Sequence, residues 1–234
     1  MTELLQFSIT FQEPTSPHIT ELALKEASSL KADIARQEAY FGREAALQAL
    51  QTPHSQLLVE LPEGEWRVWF RELEGQTVVD LGCGVQTDFR KALAASRIGK
   101  YIGVDLFLSR PETSMLAIES PLGRIHVGRE GAMPSVLIEA DMLDVVSRLP
   151  DESCSFTING VDGTLVDHYS PYGEKLVEEI HRATMPGGSV LGAAIYPGIL
   201  SEFGKRYGSH YNPSARSVGS LRLQKHLKKA LKSV

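Results

Sequence analysis

The chain has 234 residues, of which 42% are apolar and 23% charged, and its formal net charge is -5. That length suits one large domain or a domain with a small appendage, and that composition supports a packed core, which excludes disordered and fibrous classes. The longest apolar candidate, Ser189 to Leu200, is broken by Pro197 and Gly198 and falls short of the roughly 20 residues that cross a bilayer.

In chain order, Leu5, Phe7, Ile9 and Phe11 alternate with polar residues, the period of a half-buried strand. From Thr20 to Leu50 the composition turns to Ala, Leu, Glu and Lys, with Ala23, Ala27, Leu30 and Ile34 at helical spacing and a break at Gly42, so two helices are expected. Gln56 to Glu60 and Trp66 to Arg71 read as two strands around a hairpin loop at residues 61–65. Residues 1–74 are thus expected to be a mixed helix and hairpin prelude that caps the rest, and residues 75–234 the main domain.

After Gly75 short β-branched runs alternate with helical segments, the mark of an α/β chain with a mostly parallel sheet flanked by helices. Five strands are predicted, at Thr77 to Leu81, Tyr101 to Leu106, Ser135 to Ala140, Ser153 to Asn159 and Ser189 to Ile195. Helices are predicted at Asp88 to Ser96, Ser114 to Ile118, Met142 to Leu149 and Tyr172 to Thr184. Residues 216–234 hold Arg216, Arg222, Lys225, Lys228, Lys229 and Lys232 without an acid. There Leu223, Leu227 and Leu231 recur every four residues, which predicts a docked terminal helix with solvated lysines. The start of the chain shows no basic stretch with an apolar run behind it, so a cytoplasmic location is expected. Cys83 and Cys154 lie in segments that read as interior and lack the neighbours of a zinc site, so free buried thiols and no metal are expected.

In an open α/β sheet, ligands sit beyond the carboxyl ends of the strands. The first strand closes into Val79-Asp80-Leu81-Gly82-Cys83-Gly84, where two glycines allow a sharp turn and close approach of the backbone to a ligand. A dinucleotide fingerprint needs Gly or Ala at position 87, where Thr87 stands, which weakens a nicotinamide reading. The second strand ends in Gly103-Val104-Asp105, with an acid placed to accept hydrogen bonds from both hydroxyls of a ribose. The third ends in Glu139-Ala140-Asp141-Met142, an acid and an apolar side chain suited to an adenine. Each strand-end acid has a plainer alternative as a helix cap.

Together these segments resemble the class I S-adenosylmethionine-dependent methyltransferases, over about Gln76 to Ile195. Leu149-Pro150-Asp151-Glu152-Ser153 running into Phe156 to Asn159 is similar to the turn and fourth strand of small-molecule members. Glu178-Glu179-Ile180 through Met185-Pro186-Gly187-Gly188-Ser189-Val190-Leu191 resembles their helix, turn and fifth strand. The resemblance implies a Rossmann-like sheet and S-adenosylmethionine as cofactor, with Asp80, Gly82, Cys83, Gly84, Asp105, Leu106, Asp141, Met142 and Asn159 around it. It implies that the glycine turn holds the methionine end and that Asp80 supports that turn.

Three departures stand out. Residues 120–134 look like an insertion that could form a flap, no pair of strands for the family's closing antiparallel hairpin is evident after Ile195, and Gln86 stands where many members have a third glycine.

The resemblance implies in-line methyl transfer, catalysed mostly by positioning. A proton-bearing acceptor needs a base, for which His168 is the candidate, with Tyr169 and Tyr172 shaping the acceptor site; His181 reads as structural. Asn159-Gly160-Val161-Asp162 lacks the two prolines and aromatic of amino-methylating nucleic-acid enzymes. A small-molecule acceptor is therefore the leading expectation and a protein acceptor the next. Nucleic acid is disfavoured by the acidic body, apart from contacts of the basic tail, and no membrane partner is expected. A cofactor-binding protein without transfer activity is the alternative from another class; a Gly-x-Ser-x-Gly hydrolase fails on spacing at Gly187 to Leu191.

Overall fold

The computed structural model describes residues 11–42, 70–84, 87–106, 108, 115–158, 170–193, 199–217 and 220–225. The strand read at Leu5 to Ile9, the second prelude helix and nearly all of the prelude hairpin lie outside these residues. Phe70 and Arg71, read as the end of a strand, are helical.

Helix α1 spans Pro17–Phe41. Pro17 opens it without wasting a donor, because the first helical amides have no intrahelical partner. The Ser16 hydroxyl accepts from the His18 amide, and the helix ends at Gly42, whose φ of 78° suits glycine. The break expected at Gly42 is the helix end. Ile19, Ala23 and Ile34 are its buried stripe.

The sheet has nine strands: β1 Thr77–Leu81, β2 Lys100–Asp105, β3 Leu116–Ser120, β4 Gly123–Glu130, β5 Met133–Glu139, β6 Ser155–Thr157, β7 Ser189–Ala193, β8 Tyr211–Ser217 and β9 Ser220–Lys225. Their order is β3-β4-β5-β2-β1-β6-β7-β9-β8. The run β5-β2-β1-β6-β7 is parallel throughout, which is the predicted five-stranded parallel sheet. Strand order reverses beside β1, so the site belongs at the carboxyl ends of β1 and its neighbours. Four further helices are α2 Thr87–Ala95, α3 Met142–Ser147, α4 Pro171–Ala183 and α5 Ile199–Tyr207.

Both sheet faces are covered. Val79, Leu81, Ile102, Val104 and Ile138 join residues of α1, α3 and α4 in one core, while Val78, Tyr101 and Leu137 join Phe70, Leu73, Phe89 and Leu93 in the other. Burial on both faces explains why β1 and β2 read as continuous apolar runs. Cys83 and Cys154 are free and buried, as expected.

Four expectations are corrected at the sheet edges. The helix read at Ser114 to Ile118 is strand β3, and the apparent flap at 120–134 is a β-hairpin whose second strand, β4, pairs antiparallel with β5. Gly123 permits this register: with φ at 122°, a Cβ there would lie 2.3 Å from the Glu139 carbonyl oxygen. At the other edge, Leu223 belongs to β9, which pairs antiparallel with β7 and β8. The predicted terminal helix does not begin there; the antiparallel hairpin thought missing is present, and it completes the Rossmann-like sheet.

A buried ionic knot ties α3, α4 and the residues before α1 together. Glu179 is 1% exposed and accepts from Arg182 Nε at 2.6 Å and from the Thr15 hydroxyl at 2.7 Å, with Lys175 Nζ at 3.4 Å. Arg182 also donates to the carbonyls of Val146, Ser147 and Leu149 at the end of α3, where helix termini leave acceptors short of intrahelical donors; that of Val146 also accepts from the Leu149 amide. Arg182→Met is expected to lower unfolding free energy by about 3 kcal/mol in urea titration, since it removes this partner from a buried carboxylate and from the Ser147 and Leu149 carbonyls.

Candidate active site

The backbone after β1 turns at Gly82, with φ at 68°, and at Gly84, with φ at 54°. These values favour glycine over residues with a Cβ. The Gly82 amide donates to the Val104 carbonyl at 2.8 Å, which locks the turn onto β2. The Gly84 amide donates to Asp105 Oδ2 at 2.8 Å. The structure thereby brings the glycine pair and the second strand-end acid, predicted separately, into contact.

Beneath the turn lies Asp80, 1% exposed, which accepts at Oδ2 from the Tyr101 hydroxyl at 2.7 Å. Gly103 leaves room for the Cys83 side chain, because a Cβ at 103 would stand 2.8 Å from Cys83 Sγ. Burial, then the charges of Asp105 and Asp80, push the Cys83 thiol well above its usual range. This cysteine is a neutral packing group and not a nucleophile.

Asp141 has two partners that the sequence did not show together. Its Oδ1 caps α3 by accepting from the amides of Leu143 at 2.9 Å and Asp144 at 3.2 Å. The Tyr172 hydroxyl lies 3.1 and 2.9 Å from its two carboxylate oxygens. Burial raises the Asp141 carboxyl to about 6 against the opposing pull of these hydrogen bonds. The helix-cap alternative thus describes Asp141 correctly, and Met142 is the first residue of the capped helix, packed against the core. Tyr172 is buried in the first turn of α4 and holds Asp141; the sequence reading of it as a ring shaping the acceptor site is corrected.

Leu106 and Asp141 open onto a cavity of about 480 Å³. Its other walls come from α1, through Ala23, Leu24 and Lys31, and from the β3–β4 turn, through Pro121 and Leu122. The first wall belongs to the prelude expected to cap the domain and the second to the segment read as an insertion. The turn that lines the cavity is the part of the supposed flap that does reach it. Asn159, His168 and Tyr169 lie outside the described residues.

His181 is where a structural residue should be. It stacks on Tyr207 with ring centroids 4.0 Å apart, and its Nδ1 lies 3.1 Å from the Tyr211 hydroxyl. Burial, with the charges of Lys225 and His210, lowers it to about 4. Among the described residues no group of three or more His, Cys, Asp or Glu could hold a metal ion, and no helix is long and apolar enough to cross a membrane.

What the sequence did not show is Tyr101 as the partner of Asp80 and Tyr172 as the partner of Asp141. Tyr101 is separated from Asp80 by 21 residues and Tyr172 from Asp141 by 31, and no local pattern signals either pair.

No family model matches the chain, and no curated protein matches it. Solved structures similar to it are methyltransferases. One is the antibiotic-resistance methyltransferase Kmr, at 16% identity over 68% of this chain and 90% of that one, with a TM-score of 0.41. Another is a SAM-dependent methyltransferase from Aquifex aeolicus, at 14% identity over 77% and 96%, with a TM-score of 0.44. A third is a 16S rRNA (adenine(1408)-N(1))-methyltransferase from Catenulisporales acidiphilia, at 12% identity over 74% and 95%, with a TM-score of 0.39. These are similarities at low identity, and what those proteins act on is said of them alone. By its own strand order and glycine turn, the chain has a Rossmann-like fold.

Proposed function

We propose that the chain is an S-adenosylmethionine-dependent methyltransferase with a small-molecule acceptor. The observation that carries this reading is the joining of three features on one carboxyl edge: the glycine turn, Asp105 bonded to it, and the cavity that starts at Leu106 and Asp141. In this reading the turn at Gly82, Cys83 and Gly84 holds the methionine end, and Asp80, oriented by Tyr101, supports that turn. Asp105 takes the ribose hydroxyls. Leu106, Asp141 and Met142 take the adenine, which fits the mixed apolar and acidic lining of the cavity. Asn159 completes the cofactor contacts, and His168 takes the acceptor proton. The prelude, through α1, closes the adenine side.

The cofactor supplies, when bound, an electrophilic methyl carbon on a sulfonium. The chain's own part is to orient the acceptor in line with that carbon and to keep water out, which accounts for most of the rate.

A second reading, transfer to RNA, is favoured by one observation. Arg222 in β9 stands opposite Leu191 of β7, and Arg216 lies beside it in β8; Lys205 and Arg206 are exposed in the last turn of α5. The hairpin beyond β7 thus brings part of the basic segment into the sheet, and a basic surface is what meets phosphates. Radiolabelled methyl transfer in parallel reactions with metabolite extract and with total RNA separates the readings: label in the small-molecule fraction alone supports the first, and label in RNA replaces it.

Calorimetry with S-adenosylmethionine, S-adenosylhomocysteine and NAD tests the core of the proposal. Micromolar binding of both adenosyl ligands and none of NAD is expected; no binding of either adenosyl ligand reduces the resemblance to fold alone. Asp105→Ala is expected to weaken cofactor binding by about 2 kcal/mol, the loss of charge-assisted hydrogen bonds. An unchanged affinity removes Asp105 from the site.

Affinity is also expected to depend on pH through Asp141. Burial raises its carboxyl to about 6, and an adenine amino group is held more tightly by the ionised form. Binding is then strongest above pH 6 and falls, by up to about tenfold, one pH unit below that value. Titrations between pH 5 and 8, on the order of one per half unit, check this. Asp141→Asn should flatten the profile, and an unchanged slope in that variant assigns the dependence to another group.

A further inference from the structure

The β3–β4 hairpin lines the cavity at its turn. At its other end Glu130, the last residue of β4, pairs with Met133 at the start of β5 and places its Oε2 3.1 Å from Arg90 Nε. The side chains are 6% exposed for Arg90 and 19% for Glu130.

Arg90 sits in an awkward place for a cation. It belongs to the first turn of α2, which follows the glycine turn directly, and the positive end of the helix dipole disfavours a positive charge there. Burial adds a second penalty, which a guanidinium tolerates only when paired and hydrogen-bonded. Glu130 supplies a carboxylate for it from across the hairpin. The charge of Arg90 also opposes the upward push of burial on the Cys83 thiol and the Tyr101 phenol. Tyr101 in turn holds Asp80 under the turn. The Glu130–Arg90 pair thus ties the hairpin to the helix whose first turn comes soon after Gly82 and Gly84.

We propose that Glu130 is a positioning residue for the glycine turn, acting through the buried guanidinium of Arg90. The hairpin is then a strut that sets where the first turn of α2 and the preceding amides stand. This rests on the cofactor reading of that turn.

The test is calorimetric titration of the full chain with S-adenosylmethionine and S-adenosylhomocysteine. Glu130→Gln keeps shape and one acceptor atom but removes the charge, and the dissociation constants of both ligands are expected to rise by about tenfold. Glu119→Gln breaks the exposed Glu119–Arg124 pair of the same hairpin and is expected to leave both constants within about twofold. On an Arg90→Met background, Glu130→Gln is expected to add nothing, because the two residues act as one unit. Should Glu130→Gln fold too poorly to titrate, Glu130→Asp keeps the charge, withdraws it by one methylene and is expected to cost about threefold. Wild-type affinity in the folded Glu130 variants overturns the proposal, as does an equal loss in Glu119→Gln, which reports only a softened hairpin. Additive losses from Glu130→Gln and Arg90→Met overturn the route through Arg90. A wild-type chain that binds neither ligand fails at the cofactor reading itself, a result distinct from wild-type binding that Glu130 does not affect.

Discussion

The hydrogen bond from the Gly84 amide to Asp105 joins the turns that leave two neighbouring parallel strands, and the candidate site depends on it. Parallel pairing of β1 with β2 sets Asp80 opposite Gly103 and Leu81 opposite Val104. The glycine turn and Asp105 consequently emerge side by side at the carboxyl edge. Positive φ at Gly82 and Gly84 then bends the chain back so that an amide, not a side chain, meets the carboxylate. A Cβ at either position would strain this bend.

Below that edge the fold supports polar groups that burial alone would penalise. Tyr101 serves Asp80 and Tyr172 serves Asp141, each a neutral donor whose phenol burial keeps protonated at neutral pH. A neutral partner leaves the acid available without cancelling its charge, which suits the proposed contacts to hydroxyl and amino donors. The Glu179–Arg182 knot follows a different logic, full pairing of opposite charges, and it lies where α3 and α4 must be fixed and no ligand is needed.

Both edges of the parallel sheet are closed by antiparallel hairpins. β3 and β4 extend it beyond β5, and β9 and β8 extend it beyond β7. Neither addition is mere cover for unpaired backbone. The first places a turn against the cavity and Glu130 against Arg90; the second carries Lys225, whose ammonium donates to the His181 and Thr184 carbonyls at the end of α4.

The amino-acid sequence by itself determined the five parallel strands, the glycine turn, the three strand-end acids and the cysteines as buried thiols. Those signals are local: a β-branched run buried on both faces, a glycine pair at a strand end, an acid at the next residue. Tertiary structure decided what local pattern could not encode. β3 is mostly exposed, and Met115, Leu116 and Ala117 carry good helix propensity; only the offer of β4 makes the segment a strand. Around Leu223 two periods compete, Leu221 and Leu223 at spacing two, Leu223, Leu227 and Leu231 at spacing four, and the open edge of β7 selects the strand. The partners of Asp80, Asp141 and Arg90 lie 21, 31 and 40 residues away, separations at which side chains meet only through the packing of the whole sheet.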